Sequence, residues 1–176
     1  VLWAMVSGWS AAALIFVIAR RFVSLNWSLA IMLVFLSTPA VIYGAGSGQV
    51  EVRNAGFVLV TVFALCQARR TKLLRYAILA GIAAGFFVAS KYTGLIFALV
   101  AGVVLVLQKD WLKQGVAFTL ALIFFGSQWY WWNFSITGDP FFPMLYGDVL
   151  YSREDIWNNA INKIFLEYVN ERILPA

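Results

Sequence analysis

Lys91 is the first residue that could do chemistry. It lies in Ala89-Ser-Lys-Tyr-Thr-Gly94, between two long apolar runs. Burying an ammonium costs several kcal/mol unless it is paired. No acid lies within four residues of Lys91, so a local helix pair does not account for it. Such a lysine either snorkels its long stem to the edge of the apolar layer or holds an anion such as a phosphate. Tyr92 offers a hydroxyl donor at the same level, and Gly94 permits a tight backbone bend. Glu51 is the second candidate, with Arg53 and Asn54 beside it in the polar, glycine-rich stretch Gly44 to Asn54. Ionisable groups at such a place usually face a cavity or mark a ligand path, a solvated loop being the plain alternative. Residues two apart on a helix do not face each other, so Glu51 and Arg53 form no obvious ion pair. The third is the stretch Trp132 to Pro143, which carries Asn133 and Asp139. The chain has no histidine and one cysteine, Cys66, and its acids are not at metal-ligand spacing. No metal site built by the protein and no intrachain disulfide are expected.

The elements that must position these residues follow from hydropathy. Of 176 residues, 62% are apolar and 12% are charged, about half the charge of an ordinary soluble domain. That excludes a soluble globular protein, a disordered chain and a disulfide scaffold. The expected fold is all-α, a polytopic transmembrane helix bundle. A helical span needs about 20 residues to cross a hydrocarbon core of about 30 Å. Val1 to Ala19 is one such run, and Trp27 to Tyr43 is a second, with Pro39 kinking it near Ser37-Thr38. Gly44 to Asn54 reads as a loop or an irregular helix start, and Ala55 to Ala68 as a third span. Tyr76 to Gln108 is too long for one upright span, and splits at Ser90 to Gly94 into two short ones. Gly115 to Trp132 is the sixth, ending in the aromatic belt Trp129-Tyr130-Trp131-Trp132. Gly81-Ile-Ala-Ala-Gly85 is a pair of small residues that lets helices approach closely.

Charge supplies the orientation. Arg20, Arg21, Arg69, Arg70, Lys72 and Arg75 belong on the cytoplasmic side, with Lys109 and Lys113 joining them if the chain breaks at Lys91. Residues 133–176 carry six acids and three bases, whereas residues 1–132 are net +8. The expected organisation is a membrane region over residues 1–132 and the start of an extracytoplasmic soluble segment over 133–176. Thr137-Gly138-Asp139-Pro140 is a turn signal. Trp157, Ile161, Ile164, Phe165 and Tyr168 recur at helical spacing behind a capping pair, Ser152 and Asp155. The apolar start at Val1 and the stop after Pro175 read as an internal piece of a longer chain.

Three stretches in order carry a resemblance. They are Thr38-Pro39 before the polar loop with an acid, Gly85-Phe-Phe-Val-Ala-Ser-Lys-Tyr-Thr-Gly94, and Asn133 to Pro143. Together they resemble the polytopic glycosyltransferases of the GT-C fold. Within these, they are similar to the family 39-like protein mannosyltransferases and lipid A aminoarabinose transferases. Trp132 stands where those relatives often have Arg, and Asp139 replaces their usual Asn. The resemblance implies transfer of a sugar from a polyprenyl-phosphate donor to a glycan, lipid or protein acceptor outside the cytoplasmic membrane. By position it makes Lys91 a ligand of the lipid-linked phosphate, with Glu51 near the donor. Arg53, Tyr92, Asn133 and Asp139 complete the expected substrate-binding set. The catalytic acid pair would lie in an outer loop upstream of Val1. No organic cofactor is implied, a divalent metal stays open, and the partners are the bilayer and the lipid-linked sugar, not nucleic acid.

Two other classes fit a broken helix with an apolar-flanked lysine: a transporter or flippase for lipid-linked substrates, and a non-catalytic assembly subunit. An acid pair upstream of Val1 would favour the enzyme. The six-span topology makes its own prediction. Cysteines placed singly at Trp111 and Asp155 should react with an impermeant thiol reagent from opposite sides of the membrane. Labelling of both from one side would overturn it.

Overall fold

The computed structural model describes residues 2–108 and 111–142. Seven helices occupy them, with no strand among the described residues. They are α1 (Leu2–Ala19), α2 (Leu25–Ser37), α3 (Pro39–Ser47), α4 (Glu51–Thr71), α5 (Leu74–Ser90), α6 (Thr93–Val106) and α7 (Trp111–Thr137). The chain divides into two units, Val1–Gln128 and Trp129–Ala176. The tail helix expected around Trp157 to Tyr168, with its cap at Ser152, lies outside the described residues.

Inside the first unit, the pattern of burial is that of a bundle in lipid. The interior is built of small side chains, among them Ala11, Ala12, Ala64, Ala68, Ala77, Ala80, Ala84 and Ala101. The large apolar ones point outward: Leu33, Ile96, Leu99, Leu120 and Phe124 are all exposed. Water would punish that arrangement, and hydrocarbon does not. With no hydrophobic drive between helices in lipid, small residues let backbones approach and gain dispersion contacts instead. The chain is a helical membrane bundle. By length and composition α1 and α4 can each cross a membrane, and α2 with α3 counts as a third span if the bent pair is one. Helices α5 and α6 are apolar but shorter, at 17 and 14 residues.

Helix α4 is the central element, packing along both α1 and α5. Ala64, Leu65, Ala80, Ala84, Ala101, Leu105 and Phe118 form the core cluster, joining α4, α5, α6 and α7. The expected small-residue pair is the contact between α5 and α7. A Cβ added at Gly81 would collide with the carbonyl of Phe118, and one at Gly85 would lie 2.9 Å from the carbonyl oxygen of Leu122. From α7, Gly126 returns the fit against Gly85. Phe86 bridges outward, its ring 5.6 Å from Phe57 of α4 and 5.3 Å from Phe125 of α7. Across the far end, Gln114 of α7 donates to the carbonyl of Ala68 at 3.3 Å, which also accepts the N–H of Lys72.

Breaks fall where the backbone chemistry demands. Thr38 is held extended ahead of Pro39, and α2 and α3 meet at 61°. Between α5 and α6 only Lys91 and Tyr92 are non-helical, so the long apolar run is two helices. Gly94 is required there for space rather than for a left-handed backbone. A Cβ on it would lie 2.6 Å from the backbone of Phe87 and Val88. Two expectations need correction. The polar stretch Gly44 to Asn54 is mostly helical: α3 runs on to Ser47, Gly48 closes it with φ +82°, and α4 starts at Glu51. The helix expected to end at Trp132 continues to Thr137, because its last turn is closed by hydroxyl bonds and Gly138 rather than by the change in polarity.

Glycine positions separate packing from propensity. Gly81→Ala should destabilise the detergent-solubilised protein by about 1–3 kcal/mol through overpacking. Gly102→Ala, where an added Cβ meets nothing, should be neutral or stabilise by up to about 1 kcal/mol through helix propensity. Thermal unfolding midpoints check both, and equal effects would contradict the close α5–α7 contact.

Candidate functional site

Two of the expected residues meet. The Lys91 ammonium lies 2.9 Å from Glu51 Oε1, forty residues away in the chain. The first turn of α4 carries Glu51, and the short link between α5 and α6 carries Lys91. A second bond locks the same two segments together: Ser90 Oγ donates to Asn54 Oδ1 at 2.6 Å. The lysine that had no acid nearby in sequence therefore has one in space. Both side chains remain accessible, Lys91 at 47% and Glu51 at 55%. An exposed pair of this kind contributes little to stability, but it does hold the α5–α6 link against the start of α4. Tyr92 sits in that link, half-buried.

Arg53 goes elsewhere. Two residues on from Glu51, it turns to the other side of α4 and lines a groove against α1. The groove holds about 250 Å³ and is walled by Trp3, Val6, Leu14, Phe57 and Val60, with Ser7 and Ser10 on the α1 side. Each serine donates its hydroxyl to its own helix, Ser7 to the carbonyl of Trp3 and Ser10 to that of Val6. Arg53 Nε is buried without a hydrogen-bond partner, and Arg53 makes no ion pair among the described residues. The helix N-terminus adds about half a positive charge at this point. Glu51, which could offset it, is engaged with Lys91. An uncompensated guanidinium at the wall of an apolar groove is suited to an anion on an apolar tail. Sequence reasoning missed the groove. Its signal was the same two-residue spacing that ruled out a Glu51–Arg53 pair, together with Ser7, Ser10, Ala11 and Leu14 recurring along one side of α1.

The other two expected residues lie in the second unit. Gly138 ends α7 with φ +73°, its N–H donating to the carbonyl of Phe134 at 2.9 Å. Asp139 is 2% exposed. Its Oδ1 accepts the N–H of Phe141 at 2.8 Å and its N–H donates to Thr137 Oγ1 at 3.1 Å. Its Oδ2 is buried with no hydrogen-bond partner. Asp139 therefore shapes the exit turn read from the sequence, as the related Asn also could. Asn133 is buried one turn earlier, its carbonyl accepting the hydroxyl of Thr137 at 2.8 Å. Among the described residues no group of three His, Cys, Asp or Glu could hold a metal ion.

A glycosyltransferase family 87 model matches residues 1–153, most of the chain. The chain belongs to glycosyltransferase family 87. No curated protein and no solved structure matches it. The family is one of glycosyltransferases, which supports the enzyme reading over the transporter. The matching family is 87, whereas the short motifs resemble family 39-like enzymes.

The ion pair has a clear test in the full-length protein. Glu51→Gln and Lys91→Met should each leave the melting temperature close to wild type, because both groups are accessible. The charge-reversed pair Glu51→Lys with Lys91→Glu should recover transfer lost in either single variant if the bond only positions the link. Transfer that stays lost in the reversed pair would show that one of the two touches substrate.

Proposed function

We propose that the full protein is a GT-C-type transferase in the cytoplasmic membrane, and that its donor is a polyprenyl-phosphate-linked sugar used on the outer side. The observation that supports this reading is Arg53, a guanidinium with no counter-charge among the described residues, on the wall of the α1–α4 groove. A donor of this class has two parts that need different surroundings. Its isoprenoid chain suits the apolar walls, and its phosphate suits a bidentate guanidinium backed by a helix N-terminus. Lys91, paired with Glu51 on the opposite side of α4, holds the start of that helix.

The chemistry is displacement at the anomeric carbon. An acceptor hydroxyl oxygen forms the new bond as the bond from the anomeric carbon to the phosphate oxygen breaks. The leaving polyprenyl phosphate keeps the electron pair, and the hydroxyl proton passes to a carboxylate base. Charge grows on the phosphate as it leaves, so Arg53 stabilises the transition state more than the ground state. The resemblance to relatives puts the base in the outer loop that precedes a span like α1.

In the full-length protein, Arg53→Gln should weaken binding of a polyprenyl-phosphate sugar about ten-fold, the loss of a charge-assisted bond. Lys91→Met should weaken it less. Titration of both variants with the same donor decides the matter. Wild-type affinity in Arg53→Gln, with a large loss in Lys91→Met, would move the phosphate to Lys91.

A further inference from the structure

A second groove lies near the opposite end of α4, between α4 and α6, and the donor reading does not involve it. It holds about 200 Å³. Its walls are Val62, Leu65, Phe97, Val100, Ala101 and Val104, and its polar lining comes from Arg69, Gln108 and the thiol of Cys66. Both main polar groups have spare capacity. Arg69 is exposed and makes no ion pair among the described residues. Gln108 donates Nε2 to the carbonyl of Val104 at 3.3 Å, leaving Oε1 buried and without a partner.

Among the described residues, the charged side chains around this groove are cationic. Arg69 and Arg70 occupy the last turn of α4, followed by Lys72 and Arg75. A helix C-terminus offsets only about half a unit of that charge, and between Glu51 and Asp110 the sequence has no acid. Helix α6 contributes only 14 residues, about 21 Å at 1.5 Å per residue, against a hydrocarbon layer of about 30 Å. One end of the groove is therefore cationic, its walls are apolar, and its orphan acceptor needs a hydroxyl or amine donor.

We propose that the α4–α6 groove binds an anionic glycerophospholipid, with the phosphate on Arg69, a headgroup hydroxyl donating to Gln108 Oε1, and one acyl chain along Phe97 and Val100. Phosphatidylglycerol has all three parts. Phosphatidylcholine has the phosphate and the chains, but its quaternary ammonium balances the charge and donates no hydrogen bond. The site is separate from the Arg53 groove and would retain a structural or regulatory lipid rather than a sugar donor.

Native mass spectrometry of the full-length protein, equilibrated with phosphatidylglycerol or phosphatidylcholine in mixed micelles, tests it. Wild type should retain one phosphatidylglycerol and little phosphatidylcholine. Arg69→Gln should lower that occupancy about ten-fold, whereas Arg70→Gln, which does not line the groove, should leave it near wild type. Val100→Trp blocks the groove from an exposed position without changing any charge, and should also expel the lipid. Equal losses in Arg69→Gln and Arg70→Gln, or full retention in Val100→Trp, would reduce the effect to diffuse attraction and overturn the site. Equal retention of both lipids by wild type would overturn it as well.

Discussion

The close approach of helix backbones through alanine and glycine is what everything else rests on. In lipid, burying large apolar side chains gains little, so α4, α5 and α7 meet largely through small residues, with Phe86 reaching Phe57 and Phe125 beside them. That choice fixes helix separation within a few tenths of an ångström, since an added methyl at Gly81 or Gly85 meets backbone rather than a movable side chain. The 2.6 Å bond from Ser90 to Asn54 and the 2.9 Å bond from Lys91 to Glu51 both cross the α4–α5 interface. The same packing fixes what α4 can present. Its first turn offers an acid to one neighbour and a cation to the other, because residues two apart point nearly opposite ways on a helix. The Glu51–Lys91 ion pair and the groove lined by Arg53 can therefore share three residues of one turn without interfering.

The membrane class, the break at Lys91, the kink at Pro39 and the small-residue contact were legible in the sequence because each is local. Proline forces the residue before it out of the helical region, and an apolar run too long for one span must break somewhere. The long-range pairing was not legible. Nothing in the residues around Lys91 names a partner forty positions away. The polar loop was overread, because Gly44, Gly46 and Gly48 look like a turn while only Gly48 has a left-handed backbone. Polarity also gave a false end to the last helix. Asn133, Ser135 and Thr137 look like the start of a soluble segment, yet Ser135 and Thr137 return their hydroxyls to carbonyls of their own helix and Asn133 is buried. Serine and threonine inside a helix are polar in composition without being polar in what they ask of their surroundings.

The corner between α2 and α3 bears on how the protein fits its bilayer. Part of its hydrogen bonding is local: the carbonyl of Val34 accepts both the Ser37 and Thr38 hydroxyls, and that of Phe35 accepts the Thr38 N–H. Ser37, Thr38 and Pro39 are all exposed on the bundle, and these hydroxyl bonds lower the cost of the broken helix there. Straight, the 13 and 9 residues of the two helices would reach about 33 Å at 1.5 Å each. Folded at 61°, the shorter arm adds only about 7 Å along the longer one, for a total of about 26 Å. Counted as one span, the bent pair therefore matches a hydrocarbon layer a few ångströms thinner than the average of about 30 Å.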